Sequence, residues 1–281
     1  DEEGARYNTP TFGSRALAGR LDAADVLERT DDDGVRMADA LAAAGVDPGA
    51  VALAPAWLER LAGFVELHID QSRDLAAAGA PAGAVRSLAA RTRLALDLHG
   101  RADHAGTTRM DERSDALAAA AAVIVRAVEL ASADPDLVVT PSRLLVEPNA
   151  FSTVPSRARL WLDARGPTDE ALDRWRDALA SDAAESAATA RVLLDIAVAS
   201  RSPAVAFDPS VRAALATALG HGDELVCFAG HDAGILAPLR PAGMVLVRNA
   251  TGISHSPAEE VDLADAAVAA QAVLGALEAL A

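Results

Sequence analysis

The sequence predicts an α/β protein whose chain starts one domain, builds a second, and then returns to the first. Three observations carry this reading. Residues 64–71, Phe-Val-Glu-Leu-His-Ile-Asp-Gln, alternate apolar and polar side chains with the period of a half-buried strand. From about residue 93 to 202 the hydrophobic periods follow the order β-α-β-β-α-β, the ferredoxin-like split arrangement. After Pro203 strand and helix patterns alternate again. Residues 1–92 and 203–281 are therefore expected to form one discontinuous α/β domain, with 93–202 inserted into it.

The bulk composition agrees with a globular chain. A length of 281 residues can bury a large core and suits two domains. The chain is 51% hydrophobic and 23% charged, and its basic residues are all arginine, which we read as codon bias. A net charge of −16 argues against nucleic acid and anionic membrane as partners. Local arginines can still bind a small anion. One cysteine, Cys227, excludes an intramolecular disulfide framework and suits a reducing compartment. With no signal-peptide pattern or long uninterrupted apolar span recognised, a cytoplasmic location is expected. The first residue is Asp1 and the first methionine is Met37, so further sequence upstream is expected.

Taken in order, the elements justify the fold class. Asp31-Asp32-Asp33-Gly34 precedes a helix over Val35–Ala44, with Met37, Leu41 and Ala44 on one face and Gly45 as its C-terminal cap. The strand at 64–71 follows, then a loop over Ala78–Gly83 and a short strand over Ala84–Ala89. In the inserted domain, strands are expected at Leu94–Leu98, Arg143–Val146, Ala158–Asp163 and Val192–Val198. One helix runs over Ser114–Ala131 with Leu117, Ile124 and Val128 inward, and another carries Leu172, Trp175 and Leu179. The final part holds a helix at Pro209–Leu219, strands at Leu225–Phe228 and Gly243–Val247, and a last helix capped by Asp262.

The residues that could carry chemistry are spread along this order. On the 64–71 strand His68 shares a face with Glu66 and Asp70. A second histidine motif is Gly252-Ile253-Ser254-His255-Ser256-Pro257, and the chain opens Asp1-Glu2-Glu3-Gly4. Imidazoles and carboxylates far apart in sequence are what a metal site on a folded sheet draws together. His104 lies in Ala102-Asp103-His104-Ala105-Gly106 and His231 in Gly230-His231-Asp232. Each histidine alone also suits a structural role. Two separate carboxylates can divide the work of hydrolysis, one binding metal and one moving a proton. Arg165 closes a strand and could hold a carboxylate with two prongs. Gly-Ile-Ser-His-Ser lacks the second glycine of a nucleophile elbow, and neither a P-loop nor a dinucleotide fingerprint is present.

Together the motifs Asp-Glu-Glu-Gly (1–4), Glu-Leu-His-Ile-Asp-Gln (66–71), His-Ala-Gly-Thr-Thr (104–108), Pro-Asn-Ala (148–150), Leu-Asp-Ala-Arg (162–165), Gly-His-Asp-Ala (230–233) and Gly-Ile-Ser-His-Ser-Pro (252–257) resemble those of the dimetal amidohydrolases. That family includes N-carbamoyl-L-amino-acid hydrolase, allantoate amidohydrolase and β-ureidopropionase. The resemblance implies a zinc-peptidase-like catalytic α/β domain and a ferredoxin-like lid that makes a homodimer. It implies hydrolysis of a ureido or carbamoyl C–N bond in a small substrate bearing a carboxylate. The cofactors implied are two divalent ions per subunit, zinc, manganese, cobalt or nickel. Glu2 matches the general base and Glu3 a metal ligand; His68 matches a ligand of one ion and His255 of the other. Gln71, His104 and Arg165 match substrate contacts, with His104 on the oxyanion and Arg165 on the carboxylate. His231 lines the same site without an assigned role. Ser152 stands where the family has Asn, Arg109 where it has Pro, and Asp70 where it has Glu. The family's remaining ligands, a His and a bridging Asp, precede its Glu-Glu pair, so the 281-residue chain alone is expected to be inactive. Aminoacylase or peptidase chemistry, or a non-catalytic dimerising homologue, are the alternatives.

Overall fold

The computed structural model describes residues 4–222 and 224–281. The chain divides into two compact units, Asp1–Leu88 with Val205–Ala281 and Ala89–Ala204. The changeovers thus fall at 88/89 and 204/205, where the periodicities alone put them at 92/93 and 202/203.

The first unit opens with short helices α1 (Phe12–Leu17), α2 (Ala23–Leu27), α3 (Met37–Ala43), α4 (Ala50–Leu53) and α5 (Pro55–Leu58). They enclose a small satellite core of Tyr7, Ala16, Val26, Met37 and Val51. Asp22 caps α2 by accepting from the Ala24 and Asp25 N–H groups, and Gly45 follows α3 at φ 79, a conformation open to glycine. Strand β1 (Phe64–Ile69), helix α6 (Asp74–Ala78) and strand β2 (Ala82–Leu88) complete this part. The sequence reading has a loop over part of this stretch. Strand β2 instead begins at Ala82, because Ala82, Gly83 and Ala84 pair with Val247, Leu246 and Val245.

The second unit runs β3 (Ala90–His99), β4 (Asp103–His104), α7 (Ala116–Ser132), β5 (Val138–Glu147), β6 (Thr153–Val154), β7 (Arg157–Gly166), α8 (Asp169–Ala190) and β8 (Leu193–Ser202). Its main sheet has the order β5-β7-β3-β8 with every pairing antiparallel. This is the ferredoxin-like order. Alternation along the strands sends Leu94, Leu96, Leu98, Leu160 and Leu162 towards α7 and α8, where Trp175 and Leu179 are also buried. The face of α7 differs in part from the one expected, since Ile124 packs against the core and Val128 does not. Ala116, Ala119, Ala120, Val123 and Ala127 are buried, whereas Val128 is 41% exposed. In an alanine-rich helix small side chains let the backbone approach the sheet, so the largest residues do not mark the inner face.

The chain then returns through β9 (Val205–Ala206), α9 (Pro209–Leu219), β10 (Glu224–Cys227), α10 (Asp232–Leu236), β11 (Ala242–Val247) and α11 (Leu263–Leu280). The sheet of the first unit has the order β1-β11-β2-β10, with β9 also on β2. Strand β11 is buried at every position, the pattern of a strand covered on both faces. Ala242, Met244 and Leu246 join a core with Leu75, Phe207 and Ala233, while Val245 and Val247 join Val211, Leu215 and Ala269. A Cβ on Gly243 would lie 2.4 Å from Val211 Cγ1, so α9 packs against β11 only over glycine. Helix α11 is long and apolar enough to cross a membrane by length and composition, where the sequence pattern predicts no such span. Its buried residues Ala269, Ala272 and Ala276 pack within this unit.

Candidate functional site

In the first unit the functional side chains stand on β1. It pairs in parallel with β11, and Glu66 and His68 lie beside Met244 and Leu246. They share the sheet face on which α10 packs. Glu66 accepts from His231 Nδ1 at 3.1 Å and from the Ala233 N–H at 2.7 Å, so both carboxylate oxygens are engaged. The His231 ring meets the His68 ring edge to face, with centroids 4.5 Å apart. His68 Nδ1 lies 2.8 Å from the Ile69 carbonyl. A carbonyl only accepts, so Nδ1 carries the hydrogen and Nε2 keeps its lone pair, the tautomer a metal-ligating histidine needs.

Electrostatics hold this group together. Burial works against charge on His231, but the Cys227 thiol beside it and the Glu66 carboxylate outweigh that and push its pKa up to about 9. Burial would raise Glu66 too, yet the bonds from His231 and Ala233 keep it below the usual carboxylate range. Asp70, read from sequence as part of the same polar face, turns away to a structural task. It is buried and accepts from Ser72 N–H, Ser72 Oγ and Leu75 N–H, fixing the turn that carries Gln71.

His255 lies on the loop after β11, next in the sheet to the turn after β1. Ligands favour this place, the carboxyl ends of adjacent parallel strands. Asn249, fully buried, builds the loop: its Oδ1 accepts from Thr251 and Gly252 N–H, and its Nδ2 donates to the Ile253 carbonyl. Arg73 ties the two turns by donating from Nε to the Thr251 carbonyl at 3.1 Å. Glu259 accepts from Ser254 Oγ and from the His255 N–H, and His255 itself has φ 55.

In the second unit His104 and Ser152 come together through a two-stranded ladder. His104 pairs with Thr153, and the Ala105 N–H donates to the Ser152 carbonyl at 2.9 Å. The Gly106 N–H donates to His104 Nδ1 at 3.1 Å, so in the neutral ring the hydrogen sits on Nε2. Arg113 staples the loop by donating to the Ala105 and Thr108 carbonyls. Arg165 stands on the helix-free face of the main sheet, where its Nε donates to Asp163 Oδ1 at 3.1 Å. Arg93 donates to the other oxygen of Asp163 at 2.6 Å. Burial would raise Asp163, but these two guanidinium groups hold it below the usual range.

Asn249, Arg73, Arg113 and Asp163 were not singled out by sequence reasoning. Asn249-Ala-Thr-Gly has the composition of an Asx turn, and Asp163 sits two residues before Arg165 on the same strand face, so both left a signal. Glu2 and Glu3 lie outside the described residues. Among the described residues no three His, Cys, Asp or Glu side chains gather as a metal-holding group. The tautomer of His68 and the position of the His255 loop fit donors to a divalent centre, without assembling one by themselves.

The fold is that of a peptidase-like α/β protein, and the chain belongs to the peptidase family M20/M25/M40, whose model matches residues 1–279. It is 37% identical over 275 residues to an N-carbamoyl-L-amino acid amidohydrolase of Geobacillus stearothermophilus, covering 96% of this chain and 67% of that protein. An allantoate amidohydrolase of Bacillus subtilis (strain 168) is 31% identical, covering 92% of this chain and 64% of its own length. A solved amidase of the hydantoinase/carbamoylase family from Burkholderia multivorans superposes with TM-score 0.84 at 29% identity, covering all of this chain and 69% of that one. The chain thus spans about two thirds of the length of such relatives.

Proposed function

We propose that the protein hydrolyses a linear ureido or carbamoyl C–N bond, in N-carbamoyl-L-amino acids or allantoate, using two divalent ions. The observation that carries the reading is the β1 face. There His231 and Glu66 brace His68, and the Ile69 carbonyl fixes the hydrogen on Nδ1, so that the lone pair of His68 Nε2 is open to a metal ion. The names of the relatives support the bond class. His68, His255 and Glu3 would hold the ions, and mixed imidazole and carboxylate ligation suits zinc, manganese, cobalt or nickel. A bound divalent ion supplies Lewis-acid polarisation of the scissile carbonyl and of water.

The chain's own residues do the rest. Glu2 takes a proton from the attacking water and returns it to the leaving nitrogen. His104, whose Nδ1 accepts from Gly106, donates from Nε2 to the oxyanion as charge develops. Arg165 holds the substrate carboxylate, and Gln71 and Ser152 supply polar contacts. His231 orients the ligand-bearing strand through Glu66 and the His68 ring. Homodimerisation through the second unit and a cytoplasmic location complete the reading.

The test is ammonia or amino-acid release by the protein translated from the complete reading frame containing this chain. N-carbamoyl amino acids, allantoate, N-acetyl amino acids and dipeptides are compared side by side. Turnover of the first two classes, abolished by Glu2→Gln, is expected. Turnover confined to acetylated amino acids or dipeptides would replace the reading with aminoacylase or peptidase chemistry.

A further inference from the structure

The helix-free face of the second unit holds a guanidinium that the proposed reaction does not use. Arg91 stands directly opposite Arg165 across the antiparallel β3–β7 pair, and Arg93 stands opposite Asp163. Like charges placed directly opposite on one sheet face are destabilising. Asp163 is shared between Arg93 and Arg165, one oxygen to each. Among the described residues Arg91 bonds no carboxylate: its Nη2 donates to Ser202 Oγ at 3.3 Å, and its Nε is buried without a hydrogen-bond partner. Ser200, opposite Arg93 on β8, likewise has a buried Oγ without a partner. Arg91, Arg93 and Arg165 thus stand together around Asp163 in a chain whose net charge is −16. Burial and the neighbouring Arg93 both press the Arg91 pKa downwards, as expected where a cation lacks its counter-charge.

We infer that Arg91 is a specificity residue that takes a second carboxylate, so that the favoured substrates are N-carbamoyl derivatives of acidic amino acids. This rests on the proposed reaction and on Arg165 holding the first carboxylate. Arg93, locked on Asp163, positions Arg165. Arg91 then meets the side-chain carboxylate, with Ser202 beside it. A substrate with a second carboxylate supplies Arg91 with a counter-charge.

The experiment compares kcat/KM for N-carbamoyl-L-aspartate and N-carbamoyl-L-alanine in the protein from the complete reading frame, in wild type and in Arg91→Gln, Arg91→Lys and Arg165→Gln. Losing a charge-assisted bond predicts a fall of about tenfold or more on the diacid for Arg91→Gln. Turnover of the alanine derivative should fall far less than that of the diacid, and a melting transition like the wild type's shows that the variant folds. Arg91→Lys, which keeps the charge without the planar fork, should recover part of the loss, and Arg165→Gln should lower both substrates. Wild-type preference for the alanine derivative, or equal loss on both substrates in Arg91→Gln, overturns the inference and leaves the reaction standing. Absence of turnover on every carbamoyl acid overturns both.

Discussion

Glu66→Gln isolates the brace behind His68. The wild-type pair is well enclosed, with side-chain exposures of 4% for His231 and 13% for Glu66. Raising His231 from its ordinary 6.5 to about 9 corresponds to roughly 3 kcal/mol of interaction with the protonated ring. A group protonated more readily in the folded state adds stability that is complete below 6.5 and lost as pH rises through about 9. Glutamine keeps an acceptor for Ala233 but removes the charge, while the Cys227 contribution stays. The expected cost is therefore only part of the total, about 1–2 kcal/mol at pH 6, shrinking towards zero by about pH 10. Denaturant titration of chelator-treated protein between pH 6 and 10 reads this directly. Equal destabilisation at every pH, or wild-type stability flat from 6.5 to 9, would refute the ion pair as the source.

Two further substitutions probe the loops. Gly252 has φ +66, and a Cβ there would lie 2.6 Å from Arg73 Cγ, so Gly252→Ala should break the tie from Arg73 to the His255 loop. Weaker binding of one divalent ion, with the global stability changed by only about 1–2 kcal/mol, is expected by metal titration and melting. His104→Ala should lower kcat about 10²–10³-fold with KM little changed, as for loss of an oxyanion donor; a change confined to KM would make His104 a ground-state contact instead.

Much of this was legible because the signals were local. Leu172, Trp175 and Leu179 marked the inner face of α8, and Asp262 marked the start of α11, where it accepts from the Ala264 N–H. The alternation at 64–69 put Glu66 and His68 on one face of β1. What was not legible depends on contacts distant in sequence. Glu66 meets His231 across 165 residues, and Arg73 meets Thr251 across 178. Nothing in the run Asp70-Gln71-Ser72 separates a carboxylate that works on a ligand from one that accepts three bonds in its own turn. Alanine hid the inner face of α7, since burial there follows close backbone approach rather than side-chain size.

Turnover is proposed to depend on a metal that the β1 histidine serves. Metal content per subunit and kcat/KM on an N-carbamoyl amino acid, measured together for wild type and His68→Ala from the complete reading frame, test it most directly. His68→Ala should lose at least one divalent ion per subunit and lose turnover with it. Wild-type metal content together with wild-type turnover in His68→Ala would contradict it.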